Sequence, residues 1–377
     1  MTQLTFYNLG NADCCRIDFR ENDRMLIDYA DTKDRSDKND NRSDLPKLLW
    51  EDLDDLETDT YRVVAFSHLD SDHVQGASDF FYFDHAAKYQ KGKRAKIETI
   101  WVPAAAITEE GVEGDAFAIR AEARHRLKKG EGIIVFSRPE RLKDWLEDNG
   151  LTIKDREDCI VDAGKLVPGF TLKGDHVEFF AHSPHAYRSD ENTVEDRNGD
   201  SLVFQARFEE GGEHTDVLFT ADVDSDDLGE IIDITRHYKN DDRLHWNVYA
   251  LPHHCSFKAI NVEDKGTDKT KPTDQIKWLC EEQGEERGYI VSTSKPIPAK
   301  GSKEDKDKQP PHRQAANYYK EDVVEKDRFL VTMERPNALN PKPIVITIGS
   351  TGAVFKSSGA AAVAATAATT APRAGRA

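Results

Sequence analysis

A layered α/β domain is what this sequence predicts, on three observations. Short strand-like runs of Val, Ile, Leu and Phe recur from the first ten residues to about residue 356. Helix-like segments interleave with them over the whole length, which argues for one layered unit rather than separate all-β and all-α parts. The sharpest local signal, Ser67-His68-Leu69-Asp70-Ser71-Asp72-His73, follows directly on the apolar stretch Arg62-Val63-Val64-Ala65-Phe66. A turn leaving a buried strand is rigid enough to hold several side chains on one point.

The chain opens with three short apolar or alternating runs, 3–9, 14–19 and 24–28, parted by Gly10-Asn11 and by Glu21-Asn22-Asp23. Turn residues between alternating runs spell a meander of strands. A polar stretch over 32–44 leads into a helix at 45–56, and the strand ahead of the His/Asp turn comes next. Beyond it, strands are expected at 99–102, 133–136, 177–181, 202–208, 216–220, 246–251, 289–292, 329–333, 344–348 and 354–356. Helical patterns fall between them at 116–129, 140–149, 225–239, 273–283 and 313–325. Two Lys/Asp-rich excursions, 258–271 and 295–309, read as mobile loops beside the site. Residues 357–377 form an Ala/Thr-rich tail with Pro372, predicted to be disordered, which leaves 1–356 as the folded domain.

Composition narrows the class. With 38% hydrophobic and 32% charged residues in 377, the surface is very polar, and no apolar run is long enough to span a bilayer. The start lacks a basic segment followed by an apolar one, so no secretory signal is read and a cytoplasmic protein without membrane contact is expected. Five scattered cysteines, Cys14, Cys15, Cys159, Cys255 and Cys280, never form a Cys-x-x-Cys pair and argue against a disulfide framework or a zinc ribbon. The net charge of -18 opposes long-range attraction to nucleic acid, but bound cations reverse such a field locally. The basic stretches 88–96 and 120–129 read as solvated faces.

His68, Asp70, Asp72 and His73 offer two imidazoles and two carboxylates, a start toward a site for two divalent cations. More ligands stand at the ends of other expected strands: His182 after 177–181, Asp222 after 216–220, and His253 and His254 after 246–251. Asp28 ends the strand at 24–28.

In this order the ligands resemble the metallo-β-lactamase superfamily, and His-x-Asp-x-Asp-His is similar to the hydrolase domain of the ComEC/Rec2 competence proteins. Asn8-Leu9-Gly10-Asn11-Ala12-Asp13 resembles that group's Gly-containing turn, Leu26-Ile27-Asp28 its strand end, and Asp200-Ser201-Leu202-Val203 its Ser-Leu-Val strand. Pro252-His253-His254-Cys255-Ser256 resembles its Pro-His-His-Gly-Ser, with Cys255 in place of Gly, and Pro311-His312 lies where a late His is expected.

The resemblance implies a four-layer αβ/βα sandwich holding two divalent ions, zinc or manganese with magnesium also compatible. His68, Asp70 and His182 would hold one ion, Asp72, His73 and either His253 or His254 the other, and Asp222 would bridge them. Asp13 and Asp28 would orient the histidines, and Ser201 would orient substrate or hold its strand. A hydroxide shared by the ions would attack the substrate, with His312, or whichever of His253 and His254 is not a ligand, as general acid. The expected activity is phosphodiesterase or nuclease, on nucleic acid or a small phosphodiester. Hydrolysis of a small ester, lactone, lactam or cyclic nucleotide, and a non-catalytic metal-binding module, are the alternatives.

Overall fold

Alternation along the first strands decides which way each side chain faces. In β1 (Thr2–Phe6), β2 (Cys15–Asp18) and β3 (Arg24–Ile27), Leu4, Phe6, Cys15, Ile17, Met25 and Ile27 point into one apolar interior. Between them, Arg16, Asp18 and Arg24 face the other way, where both arginines pair with Asp18 and with Asp52 on α1 (Leu45–Asp55). β4 (Thr60–Ala65) repeats the pattern, with Val63 and Ala65 on one side and Tyr61 and Val64 on the other. The structure, a computed structural model, describes residues 2–19, 23–191 and 196–355.

After β4, the strands β5 (Lys96–Pro103), β6 (Ile133–Phe136) and β7 (Ile160–Val161) extend the sheet in parallel. The chain then builds a second sheet from β8 (Lys165–Leu166), β9 (Val177–Ser183), β10 (Val203–Glu210), β11 (Glu213–Phe219), β12 (Trp246–Ala250), β13 (Gly284–Ser292) and β14 (Phe329–Val331). It returns to the first with β15 (Ile344–Gly349) and β16 (Gly352–Phe355). The sheet orders are β16-β15-β1-β2-β3-β4-β5-β6-β7 and β14-β13-β12-β11-β10-β9-β8. β3 to β7 are parallel, as are β11 to β14, so each sheet sends a set of carboxyl ends to one edge. Ligands gather at such edges because loops there converge while the strands behind them stay fixed.

Four layers follow from three apolar cores. Leu4, Ile17, Phe179, Val217, Val248 and Ile346 meet between the sheets. On the outer face of the first sheet, Leu49 of α1 joins residues of α2 (Ser71–Val74), α3 (Gly114–Lys129) and α4 (Glu140–Asp148), among them Val74, Ile119, Leu127 and Leu146. The outer face of the second sheet is covered by α5 (Ser225–His237), α6 (Asp274–Glu282) and α7 (Arg313–Tyr318) through Leu228, Ile232, Leu279 and Ala316. The layered α/β class is therefore the observed one.

Differences from expectation have local causes. β13 starts at Gly284, five residues before the expected strand, because Gly284 and Gly288 leave room for the Trp246 indole. A Cβ at these positions would lie 2.3 and 2.8 Å from that ring. The helix expected over 313–325 stops at Tyr318 and continues as one π turn, Tyr319–Val323. This wider turn lets the neighbouring rings of Tyr318 and Tyr319 both stay buried. The two Lys/Asp-rich excursions pack on each other: Arg313 donates to Asp305 Oδ1 (3.1 Å) and to Thr267 O (3.0 Å), and Thr270 N donates to Gln314 O (3.2 Å). The two-residue strands β7 and β8 were too short to show in the pattern. The tail expected at 357–377 lies outside the described residues. Among the described residues, no helix is long and apolar enough to cross a membrane.

Candidate metal centre

Backbone hydrogen bonds tie the strand-end turns to one another before any side chain is considered. Asp13 N donates to Asp72 O (2.9 Å), Tyr29 N to His73 O (3.0 Å), and His253 N to Ala221 O (3.0 Å). Asp28, Ala221, His253, His254 and Cys255 all have positive φ, between 45 and 66°. None is glycine, and such residues each cost about 1 kcal/mol or more. Left-handed conformations crowded into these turns aim side chains where a relaxed backbone would not.

One ligand atom from each of Asp13, His73, Asp222 and His254 lies within 4.8 Å of the other three. His73 Nε2 is 3.3 Å from Asp222 Oδ1 and 3.6 Å from Asp13 Oδ2. His254 Nε2 is 3.3 Å from Asp72 Oδ2 and 3.8 Å from Asp222 Oδ2. Ligands about 2.1 Å from a common ion stand roughly 3.4 Å apart in a tetrahedral shell, so these spacings suit a shared cation. The donor set fits a divalent ion on a second ground. Buried His68 Nε2 has no hydrogen-bond partner, and buried His73 Nε2 and Asp222 Oδ1 face only each other at 3.3 Å, a costly state for polar atoms out of water.

Groups behind the ligands set their tautomers. Asp28 Oδ2 accepts from His73 Nδ1–H at 2.8 Å, and Ser67 donates to Asp28 through both N–H and Oγ–H at 2.7 Å. The same Ser67 Oγ lies 3.1 Å from His68 Nδ1, and Thr293 O accepts from His254 Nδ1–H at 2.9 Å. With the Nδ1 position of each ring engaged behind it, Nε2 faces the cluster and would offer its lone pair to a cation that displaces the proton there.

The field in the cluster is strongly anionic. Burial opposes charge on His73, yet Asp222 and Asp28 outweigh it and raise its pKa well above the ordinary value. Burial likewise opposes a charged His254, and Asp222 and Asp13 raise it to about 9. Asp222 is held well below the ordinary carboxylate range by His254 and His73 despite its burial. Asp13 moves the other way, raised to about 6 by burial. His68 differs from the other two histidines, since burial and the neighbouring His73 lower it to about 4.

The remaining expected site residues divide. His68 abuts His73, ring centroids 4.0 Å apart, and Asp72 touches His254. Of the His253-His254 pair, His254 joins the cluster and His253 does not. Asp70 Oδ1 is 2.6 Å from Arg197 Nη1. His182 is not brought to the cluster as a ligand: its Nε2–H donates to Arg243 O (2.9 Å) and its Nδ1 pairs with Thr235 Oγ1 (3.1 Å). Its place at the end of β9 had suggested a ligand, but the ring points to α5 and the turn before β12.

His312 donates its backbone N–H to Cys255 O (3.0 Å), and its Nδ1 accepts from Phe257 N–H (3.2 Å), which puts the ring proton on Nε2. Burial and the charge of Lys265 lower its pKa to about 4. Cys255 fills space: it is buried, and burial pushes its thiol up to about 12. Ser201 Oγ donates to Arg197 O (2.8 Å) and so holds the start of its strand. Asp28 stands behind His73, whereas Asp13 lies in the cluster itself. Ser67, Thr293 and Arg197 were missed. Ser67 adjoins the His/Asp turn and was visible, while a carbonyl such as that of Thr293 has no side-chain signature.

No family model matches the chain, and no curated protein matches it either. Among solved structures it is similar to metallo-β-lactamase SMB-1 bound to 2-mercaptoethanesulfonate, at 12% identity over 65% of this chain and 78% of that one, TM-score 0.30. It is also similar to BJP-1, a subclass B3 metallo-β-lactamase of Bradyrhizobium japonicum (14% identity, 73% and 89% covered, TM-score 0.28). A third similarity is to a diphosphatase from the PhnP family (10% identity, 77% and 85% covered, TM-score 0.29).

Proposed function

We propose that the protein is a metal-dependent hydrolase of the metallo-β-lactamase superfamily, similar in its motifs to the ComEC/Rec2-like group, and that its substrates are phosphodiesters. The observation that carries this reading is the convergence of ligand atoms from Asp13, His73, Asp222 and His254 within 4.8 Å of one another, on turns locked by Asp28, Ser67 and Thr293. His73, His254, Asp222, Asp13 and Asp72 would hold the ion. A divalent cation there supplies Lewis acidity, polarising a phosphoryl or carbonyl oxygen and acidifying water.

The chain's own residues do the rest. Asp28 and Thr293 O keep the protons of His73 and His254 on Nδ1, and the strained turns hold the ligand atoms at fixed spacing. At neutral pH a histidine with a pKa of about 4 is uncharged, so His312 serves as a hydrogen-bond donor through Nε2–H to a leaving oxygen rather than as a full proton donor. Two features favour a phosphodiester. Asp72, Asp13 and Asp222 make the donor set oxygen-rich, which suits manganese or magnesium as well as zinc. The excursion at 258–271 also brings Lys265 close enough to His312 to lower its pKa, which places one cation near that ring on a chain of net charge -18.

The test is hydrolysis of bis-p-nitrophenyl phosphate and of labelled single- and double-stranded DNA by metal-stripped protein refilled with manganese, magnesium or zinc, with Asp72→Ala as control. Metal-dependent cleavage that the variant loses is expected. Stoichiometric metal without cleavage of any of these would reject the phosphodiester assignment and favour a small carbonyl substrate.

A further inference from the structure

We propose that the centre takes one divalent ion, and that the Arg197 guanidinium, standing on Asp70, takes up by hydrogen bonds the phosphoryl oxygen that a second ion would otherwise hold; this rests on the hydrolase reading above. Of the three side chains that a second ion beside His68 would need, His182 is already committed and Asp70 is shared with an arginine. His182 has both ring nitrogens engaged, one by the Arg243 carbonyl and one by the Thr235 hydroxyl. A carbonyl acceptor requires a proton on Nε2, and the remaining lone pair on Nδ1 takes the hydroxyl, so the ring keeps nothing for a cation. Asp70 gives Oδ1 to Arg197 Nη1 at 2.6 Å, which neutralises its charge and leaves Oδ2, 3.8 Å from His68 Nε2, as a weakened donor.

Arg197 is built into the site rather than draped over it. Its Nε donates to Glu109 Oε1 at 2.7 Å, and Nη2 reaches the same oxygen, so the guanidinium spans two carboxylates. Glu109 is buried, and without the arginine it would be a carboxylate lacking its counter-charge. The backbone of Arg197 is anchored as well: its carbonyl accepts from Ser201 Oγ, and the adjoining Leu202 N–H donates to Ser67 O at 2.9 Å. The arginine and the His/Asp turn are thus parts of one hydrogen-bonded unit. On the other side, Asp13, His73, Asp222 and His254 already stand within 4.8 Å of one another, enough for a single ion.

A guanidinium does not lose its proton in proteins and binds oxyanions through a planar fork. Beside one metal ion it would hold a non-bridging phosphoryl oxygen and offset the charge that develops there, the task of the second ion in a dinuclear site. This assigns Arg197 to the phosphoryl group of the substrate.

The experiment is manganese titration of the metal-stripped full-length protein, with bound metal counted by mass spectrometry after desalting and by calorimetry, for the wild type, Arg197→Met and Asp70→Asn. One ion per chain is expected in the wild type and in Asp70→Asn, because the proposed ion sits on Asp13, His73, Asp222 and His254. Arg197→Met keeps the aliphatic stem and frees Asp70, so a weak second ion is expected there. Two tightly bound ions in the wild type, falling to one in Asp70→Asn, would overturn the inference and leave the hydrolase reading standing. A single ion in Arg197→Met would equally overturn it. No bound ion in any of the three proteins would remove the hydrolase reading along with it.

Discussion

Asp28 shows how much one residue contributes without touching a substrate. It accepts from His73 Nδ1–H and from both donors of Ser67, and its own backbone is left-handed at φ 57°. Asn tolerates that conformation better than other non-glycine residues, so Asp28→Asn preserves the turn while weakening the acceptor. A loss of about 10- to 100-fold in metal affinity is expected, with the far-ultraviolet circular dichroism spectrum unchanged. Unaltered affinity in a manganese titration would show that His73 is oriented by something else. At this scale the sequence was informative wherever function is written as side chains. The run from His68 to His73, together with Asp222 and His254, was readable as a group of ligands at strand ends. The direction in which His182 points was not, because a strand end specifies position and leaves rotamer and partner to the packing of α5. Arg197 escaped notice since an arginine in a polar loop looks like any solvated charge.

Among the elements, the junction of β11, β12 and β13 carries an acid–base feature of its own. His245, just ahead of β12, reaches Asp216 on β11 (3.4 Å) and Glu285 on β13 (3.2 Å). The bond to Asp216 raises its pKa above the ordinary value. A raised folded-state pKa means the native protein holds the proton more tightly. The stabilisation is therefore complete below the unfolded value of about 6.5 and is lost as the pH rises through the higher folded one. His245 is partly exposed and screened, so less than about 1 kcal/mol is expected. The melting-temperature difference between wild type and His245→Gln should be larger at pH 6 than at pH 9. A pH-independent difference would contradict the assignment. Element boundaries were legible where alternation is strict, as at 133–136, where strand and expectation coincide. They failed where a distant ring sets the local rule, as Trp246 does for Gly284 and Gly288.

For the whole molecule, the ligand turns come from both sheets, so ion binding and global stability are linked. A ligand that binds only the folded state stabilises it by about 2.7 kcal/mol at a concentration 100 times its dissociation constant. Chelation should lower the melting temperature and manganese restore it, followed by calorimetry. Asp222→Asn, which weakens the central carboxylate, should make that shift small. A full-sized shift in the variant would place the ion elsewhere. The layered class could be read from interleaved elements, but the distribution of strands between two sheets could not. Which strand pairs with which depends on contacts hundreds of residues apart, such as Thr2 against Ile348.

That pairing sets a timetable for synthesis. β1 leaves the ribosome long before its neighbour β15, which begins only at Ile344, so one side of β1 stays uncovered until that strand has been made. Domains that depend on such distant pairings fold slowly and expose strand edges while they wait. His68 to His73 and Asp222 are translated well before the sheet beneath them can close. The nascent chain therefore carries these candidate ligands without the framework that gathers them until β15 has been made, and on the proposed reading a metal would be taken up only after that.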